Sequence, residues 1–142
     1  FSFKTLTQLK NVGLYAVDIA GYGGTHWGRI EGDRALESSV QKQAASHFAT
    51  WGINTVERMY NAQKANVEYK IWASGGVRSG VDAAKLFALG AEVVGFAKPI
   101  LESALISESQ LLQTMKNIEF ELKVALFCTG SKCISDLQGK VK

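Results

Sequence analysis

Proline, cysteine and long apolar runs are scarce in this sequence of 142 residues, which contains one Pro and two Cys. So little cysteine excludes a disulfide scaffold, and the composition also excludes a collagen-like fibre. The apolar runs are too short for a membrane-spanning helix, so we expect no membrane partner. Because the spacing of Cys128 and Cys133 fits neither a redox pair nor a zinc site, we expect free thiols in a reducing, cytoplasmic compartment.

Charge of one sign is also lacking, because Lys and Arg are scattered and the net charge is only +3. This weak, dispersed charge argues against a nucleic-acid partner. By contrast, 46% of the residues are hydrophobic, which is enough for a packed core and excludes a disordered chain. The first residue is Phe1 and not Met, so we expect the chain to be part of a longer protein.

Three short apolar segments, residues 14–20, 69–73 and 92–97, have the nearly continuous hydrophobic pattern of strands buried on both faces of a parallel sheet. Helical periodicity predicts helices over residues 5–12, 35–51, 55–65 and 79–90, and over most of the chain after Pro99. Strands that alternate with helices indicate right-handed βαβ units. Since few helices are available to cover both faces, we predict an α/β fold that is part of a larger one.

The segment ASGGVRSG, residues 73–80, has the composition of a phosphate-binding turn. Gly75 and Gly76 leave room for a ligand to approach the backbone, and the following helix would direct its amide groups and positive dipole end at the same point. Arg78 would add a forked, charged contact, and Lys98 follows the next strand. Barrels of eight β/α units often build their phosphate site from two such successive loops. A tight turn that binds no ligand is the alternative interpretation.

Residues 21–34, GYGGTHWGRIEGDR, are rich in glycine and charge and show no periodicity, which predicts a long loop after the first strand. Enzymes with α/β folds carry their chemistry at such positions. Glu31 is a candidate general acid or base if Trp27 and its neighbours shield it from water. His26 is more typical of a hydrogen-bonded loop residue. An equally good interpretation is a solvated loop in which the charged side chains form ordinary surface pairs.

Two longer motifs, VDIAGYGGTHWGRIE (residues 17–31) and IWASGGVRSGVDAAKLFALGAEVVGFAKP (residues 71–99), occur together with LFCTGSK near the C-terminus. With these motifs the sequence resembles the type 2, flavin-dependent isopentenyl diphosphate isomerases. The second motif is shared by FMN-binding barrels in general, including 2-hydroxy-acid oxidases and glutamate synthases, and the first is much more specific. The resemblance covers nearly the whole chain, but only the C-terminal part of such an enzyme, roughly strands six to eight of a (β/α)8 TIM barrel.

The resemblance implies roles for individual residues. FMN would be bound by Thr25 at the flavin and, around the phosphate, by Gly75, Gly76, Val77, Arg78, Ala97 and Lys98. Trp27 and Glu31 would face the substrate, with Glu31 as the catalytic, proton-transferring group. Ala20 departs from the family, in which Ser often bonds the phosphate at this position; we expect its loss to weaken the site by about one hydrogen bond, ~1 kcal/mol. The family's lysine near the flavin lies outside this sequence.

The implied reaction is a 1,3-proton shift that interconverts isopentenyl diphosphate and dimethylallyl diphosphate. FMN, NADPH to reduce it and Mg²⁺ are the implied cofactors, and the Mg²⁺ ligands of the family lie outside this sequence. Residues 1–142 would be the C-terminal part of a single FMN-binding domain. The implied partners are a small-molecule diphosphate substrate and either the missing N-terminal half or further copies of the chain, since three strands alone leave open edges.

Two other interpretations remain open at the level of sequence. The chain could belong to another FMN-dependent barrel, an oxidase or dehydrogenase of unknown substrate, because the phosphate motif is common to all of them. It could also be a non-catalytic module that binds FMN or phosphate without turnover.

Overall fold

The computed structural model describes residues 1–141. Three strands alternate with helices along this part of the chain, as the hydrophobic pattern predicts. The strands are β1 (Ala16–Ala20), β2 (Lys70–Ser74) and β3 (Val93–Val94). The helices are α1 (Phe3–Leu9), α2 (Trp27–Arg34), α3 (Val40–His47), α4 (Thr55–Ala65), α5 (Gly80–Ala88), α6 (Lys98–Ile106) and α7 (Glu108–Cys128). Short 3-10 helices follow α1 (Lys10–Val12) and α7 (Ile134–Leu137).

The sheet is parallel, and its strand order is β1-β2-β3. Ala16 lies opposite Lys70 and Ala20 lies opposite Ser74, so β1 and β2 end at the same edge of the sheet. Helices form the crossovers between the strands, which confirms the predicted α/β class. The three segments that leave the strands therefore meet at one edge, and most of the predicted functional residues lie in these segments.

The two faces of the sheet differ in burial: one face is buried as predicted, and the other is uncovered in this chain. Val17 and Ile19 of β1 are 7% and 0% exposed and share a core with Met59 of α4. Asp18 of β1 and its neighbour Trp72 of β2 lie on the other face, where Trp72 is 39% exposed. The apolar run itself could not show this difference, because alternate side chains of a strand point to opposite faces whatever their hydrophobicity.

Helix α2 corrects the prediction of a loop over residues 21–34. The helix begins directly after His26, so only the first part of the segment is a turn. Its glycines concealed the helix, because glycine costs about 1 kcal/mol relative to alanine in a helix interior. Gly32 is instead buried where α2 packs on α3, and a Cβ at this position would lie 2.6 Å from the Cβ of Ala45.

Three further elements have bounds that differ from the prediction. The helix predicted over residues 35–51 is limited to α3, because Ser39 caps its start. Strand β3 contains only two of the residues 92–97, since the chain leaves the sheet to begin α6. The long C-terminal helix is divided at Ser107, whose extended backbone ends α6 and whose hydroxyl caps α7.

Two apolar clusters hold the helices around the sheet. Leu6 of α1 belongs to the cluster beneath β1 and β2, and its carbonyl oxygen accepts a hydrogen bond from the Tyr69 hydroxyl at 2.9 Å. Burial raises the pKa of this phenol. The second cluster joins Phe87 of α5, Leu122 of α7 and Leu137 of the last 3-10 helix. Within residues 1–141, no helix is both long and apolar enough to cross a membrane.

Candidate functional site

A cavity of about 660 Å³ opens where the segments after β1, β2 and β3 meet. Its volume lies within the range of small-molecule and cofactor sites, roughly 300–1,000 Å³. The lining comes from three stretches, within residues 20–33, 74–78 and 95–98. Ligands of open α/β sheets and barrels bind at this carboxyl edge, so the cavity is the candidate functional site.

All seven residues predicted to bind a cofactor line this cavity. They are Thr25 after β1, then Gly75, Gly76, Val77 and Arg78 after β2, and finally Ala97 and Lys98 after β3. Neighbouring strands lie only about 4.8 Å apart, so the parallel pairing brings these distant parts of the sequence together. Ala20, at the end of β1, also lines the cavity.

Trp27 and Glu31, the two residues predicted to face the substrate, do not line this cavity. They are four positions apart on α2 and therefore share one face of the helix. Trp27 is 72% exposed. The Glu31 carboxylate lies 3.5 Å from the Arg34 guanidinium, and its side chain is 51% exposed. The structure thus places these two residues apart from the predicted cofactor residues.

The face of α2 that does line the cavity carries His26, Arg29, Ile30 and Asp33. Their spacing of three and four residues is helical, and it was the one sequence signal that could have identified them. This helical spacing is not recognised when the segment is predicted to be an aperiodic loop. Although Arg29 and Asp33 are one turn apart, no ion pair of either side chain is present within residues 1–141. Both charged groups are therefore available to a ligand.

His26 fixes the start of α2. Its Nδ1 accepts a hydrogen bond from the main-chain N–H of Arg29 at 3.2 Å, and its Nε2 lies 3.0 Å from the carbonyl oxygen of Trp51. A carbonyl oxygen only accepts, so this geometry requires the neutral tautomer with the proton on Nε2. His26 is thus hydrogen-bonded, as the sequence indicated, and it also lines the cavity.

The glycine-rich turns after β1 and β2 pack backbone against backbone. Gly75 and Gly76 have φ angles of 84° and 87°, which residues with a side chain rarely adopt. A Cβ on Gly76 would lie 2.6 Å from the carbonyl group of Gly23, and a Cβ on Gly24 would lie 2.9 Å from the Cα of Gly75. The close packing of the two turns is therefore sufficient to explain why glycine is needed at these positions. These glycines also line the cavity, so their main-chain groups are accessible there.

A buried threonine hydroxyl connects these two turns. Thr55, the first residue of α4, is 7% exposed. Its Oγ1 accepts a hydrogen bond from the Gly21 N–H at 3.1 Å and donates one to the Gly75 carbonyl oxygen at 2.6 Å. Thr55 carries no signal in the sequence, because nothing in a single sequence links the start of one helix to two turns that lie far from it along the chain.

Carboxylates occupy much of the start of α5, which argues against the prediction that its amide groups bind phosphate. The Asp82 carboxylate accepts hydrogen bonds from the main-chain N–H groups of Arg78 and Ser79, both at 3.1 Å. Glu121 of α7 accepts a further bond from the Gly80 N–H at 2.6 Å. These carboxylates accept from three main-chain N–H groups at the helix start, and their negative charge disfavours a second anion there.

The start of α6 is open instead. No side chain in the described part of the molecule caps this helix, and Pro99 stands in its first turn. Ala97 and Lys98 line the cavity, so main-chain N–H groups and the positive end of the helix dipole border it. The Lys98 Nζ lies 3.6 Å from Glu102, an exposed pair whose separation costs little. An anion such as a phosphate group fits this position.

The ionisable side chains of the lining are mostly basic. Arg29, Arg78 and Lys98 supply three positive charges and Asp33 one negative charge, which gives a formal sum of +2 with His26 neutral. This excess suits a dianionic ligand. With the open start of α6 and the exposed main chain of the turns, the residues present fit the phosphate end of FMN. Residues 1–141 contain no group of three or more His, Cys, Asp or Glu arranged to hold a metal ion.

Known proteins similar in sequence include isopentenyl-diphosphate delta-isomerases. The chain is 56% identical over 140 residues to the isopentenyl-diphosphate delta-isomerase of Legionella pneumophila strain Corby. It is 53% identical to the protein of the same name from Bdellovibrio bacteriovorus, and 43% identical over 131 residues to that of Pseudescherichia vulneris. These alignments cover 99%, 99% and 92% of this chain. The chain spans only 41%, 40% and 38% of the relatives' own lengths.

Solved structures and a family model agree on the fold. Mandelate oxidase with benzoylformic acid superposes with a TM-score of 0.63 at 17% identity, over 98% of this chain and 36% of that one. A putative lactate oxidase of Pediococcus acidilactici gives a TM-score of 0.66 at 18% identity, over 99% and 33%. These oxidases are TIM barrels, and the present strands and helices match part of one. The model of FMN-dependent dehydrogenases matches residues 9–141, and the chain therefore belongs to this FMN-dependent family.

Proposed function

We propose that this chain is the C-terminal part of an FMN-dependent isopentenyl-diphosphate delta-isomerase, with residues 1–142 forming part of a single FMN-binding barrel domain. The observation that carries the proposal is the identity of 53–56% to proteins of that name over 99% of the chain. The cavity supports it, because it gathers the seven residues that the resemblance assigns to FMN. The chain alone is too short to contain a complete site, so the activity belongs to the full-length protein.

The proposed FMN site has two ends. At the phosphate end, the main chain of Gly75, Gly76 and Val77 and the open start of α6 at Ala97 would provide N–H donors. The side chains of Arg78 and Lys98 would provide positive charge, in keeping with the excess of basic groups in the lining. At the flavin end, Thr25 lies in the turn after β1, which packs directly on the turn of Gly75 and Gly76.

The proposed reaction adds a proton to the terminal alkene carbon of isopentenyl diphosphate and removes one from C2, which gives dimethylallyl diphosphate. When bound, reduced FMN would supply an acid/base group, NADPH would be the reductant that keeps it reduced, and Mg²⁺ would be a counterion for the diphosphate. The protein contributes orientation and electrostatics around the cofactor. Glu31 is the proposed proton-transfer residue, and Trp27 the proposed wall of the substrate site.

The position of Trp27 and Glu31 restricts how they can act. They lie on the face of α2 that is exposed in this chain, whereas Arg29 and Asp33 lie on the cavity face. Trp27 is a large aromatic side chain, 72% exposed in this chain, and a ligand or further protein that covered it would gain apolar contact. We therefore propose that the substrate lies between this face and the part of the protein that precedes residue 1.

The proposed assembly is either association with the preceding part of the polypeptide or a homo-oligomer, in the cytoplasm, with a small-molecule diphosphate as the only other partner. Open strand edges and an uncovered sheet face support the first arrangement.

The decisive test is an isomerisation assay on the full-length protein. It is incubated anaerobically with reduced FMN, Mg²⁺ and isopentenyl diphosphate in deuterated water, and the product is analysed by mass spectrometry. We expect deuterium-labelled dimethylallyl diphosphate, because the added proton comes from groups that exchange with solvent. A protein that binds FMN yet forms no labelled product is not this isomerase.

The second candidate is an FMN-dependent oxidoreductase, which the superposition on mandelate and lactate oxidases favours. Such an enzyme would reduce a dye with a 2-hydroxy acid as electron donor, and the isomerase would not. A third possibility, a module that binds FMN without turnover, would show neither activity in the full-length protein.

A further inference from the structure

Thr55 occupies an unusual place relative to the cavity. It begins α4, is 7% exposed and belongs neither to the cavity lining nor to either glycine-rich turn. Nevertheless, its hydroxyl contacts the first residue of one turn, Gly21, and the first residue of the other, Gly75, at 3.1 and 2.6 Å. The carbonyl oxygen of Ser74 at 3.1 Å is a second acceptor for the same proton. The hydroxyl therefore uses its proton, shared between two carbonyl oxygens, and one of its two acceptor lone pairs.

The two turns that this hydroxyl joins carry different parts of the proposed FMN site. The turn that starts at Gly21 leads to Thr25, at the flavin end. The turn that starts at Gly75 leads to Arg78, at the phosphate end. Their backbones are already at the limit of approach, since a Cβ on Gly75 would lie 2.8 Å from the Gly21 carbonyl oxygen. A change of a few tenths of an ångström here alters the distance between the two ends of the site.

We propose that Thr55 is a positioning residue that sets the spacing between the flavin end and the phosphate end of the FMN site. This inference rests on the proposed binding of FMN and extends it. A ligand that engages both turns at once benefits from a fixed spacing, because no binding energy is used to bring the turns into place. A ligand that engages only the flavin end does not depend on the spacing to the same extent.

The test compares FMN with riboflavin, which lacks the phosphate. In the full-length protein, Thr55→Val keeps the shape of the side chain and removes the hydroxyl. The ratio of the riboflavin dissociation constant to the FMN dissociation constant, measured by quenching of flavin fluorescence, is expected to fall about tenfold. Binding of riboflavin itself should weaken by less than about threefold, and the visible circular dichroism of bound FMN should change.

Two further variants separate positioning from general stability. Thr55→Ser keeps the hydroxyl and should restore the wild-type ratio. Asn54→Ala removes the neighbouring helix cap, in which Asn54 Oδ1 accepts from the Glu57 N–H at 2.8 Å, and should lower the melting temperature without changing the ratio. Should Thr55→Val fail to fold, Thr55→Ala supplies the same comparison, because the smaller side chain admits water to the two turns.

An unchanged ratio in Thr55→Val, or an equal fall in Asn54→Ala, would overturn the positioning role. Failure of the proposed function gives a different result. A wild-type protein that does not bind FMN has no measurable ratio of the riboflavin to the FMN dissociation constant. If the full-length protein binds FMN but has no isomerase activity, the positioning role of Thr55 is unaffected and only the proposed reaction is excluded.

Discussion

At the residue scale, Arg78 is the side chain on which the phosphate end of the proposed FMN site most depends. Its main-chain N–H is held by the Asp82 carboxylate, while its guanidinium is exposed at the cavity and forms no ion pair within residues 1–141. A guanidinium that is free of protein partners can bind a phosphate through two hydrogen bonds. We expect Arg78→Ala to weaken FMN binding by ~1.5–3 kcal/mol, measured by titration of the full-length apoprotein.

The control for Arg78→Ala is Arg34→Ala, which removes an exposed arginine that lies on α2 but does not line the cavity. Its effect on FMN affinity should be within about twofold, since isolated surface pairs contribute little. Unchanged affinity in Arg78→Ala would mean that main-chain amides alone hold the phosphate.

A second prediction at this scale concerns Glu31. If it transfers the proton, Glu31→Gln should lower kcat by about 10²–10⁴-fold and leave FMN affinity within about threefold. The measurement is turnover together with flavin titration on the same preparation. Asp33→Asn is the matched variant, because Asp33 lies two residues away on the face that lines the cavity. Full activity in Glu31→Gln with loss of activity in Asp33→Asn would move the acid/base role to the other face of α2.

Residue types alone predicted well which residues after β2 line the cavity, and less well which residues of α2 do, for a physical reason. Gly75, Gly76 and Arg78 follow a strand directly, so their position at the sheet edge depends only on recognising the strand. The direction of Glu31 depends on the helical phase of α2, which a segment with glycine at positions 28 and 32 does not reveal. Thr55 acts through contacts that are distant in sequence, and no local pattern contains them.

At the element scale, α5 packs closely on α7, directly after the turn that contains Gly75, Gly76 and Arg78. Gly80 lies at this crossing, where a Cβ would lie 2.2 Å from the carbonyl oxygen of Ile118 and 2.6 Å from the amide nitrogen of Leu122. Both atoms belong to the backbone of α7 and cannot turn aside. The Glu121 carboxylate binds the Gly80 N–H at the same point, so close approach and helix capping depend on each other.

We therefore expect Gly80→Ala to destabilise the full-length protein, although alanine favours a helix by about 1 kcal/mol over glycine. Overpacking of this kind costs about 1–3 kcal/mol, which exceeds the gain in helix propensity where backbone must move. Urea denaturation should show the loss as a lower midpoint. Val81→Ala, at the next and half-exposed position of α5, is the comparison and should change the midpoint much less. A midpoint in Gly80→Ala at or above that of the wild type would contradict the tight crossing.

The elements were predictable wherever local signals agreed with the packing. The predicted helix over residues 79–90 matches α5 closely, since Ser79 and Asp82 form a capping box and Gly90 adopts a left-handed conformation after the helix. The predicted length of β3 was wrong, because hydrophobic residues continue along the sequence after the strand has ended. Pattern and structure differ there because the chain must turn into α6, whose first residues border the cavity.

At the scale of the whole molecule, the surface of the chain is large for its mass. A folded monomer of 15.4 kDa is expected to expose roughly 7,200 Å². The chain exposes 9574 Å², an excess of about a third. Part of this excess lies on the uncovered sheet face at Trp72 and part on α6 and α7, where Leu105 and Phe127 are 78% and 86% exposed. The α/β class followed from the sequence, but the extent of the uncovered surface required the structure.

This excess surface leads to a prediction about the isolated chain. It amounts to about 2,400 Å², which is the area that one partner contributes to a large, permanent interface. We therefore expect the separately expressed chain to self-associate or to bind the upstream part of the full-length polypeptide, and to lack isomerase activity by itself. Sedimentation velocity over a range of concentrations measures the first property, and co-expression with the tagged upstream part followed by affinity capture measures the second. A compact monomer that neither associates nor binds the upstream part would show that the exposed faces are stable in water.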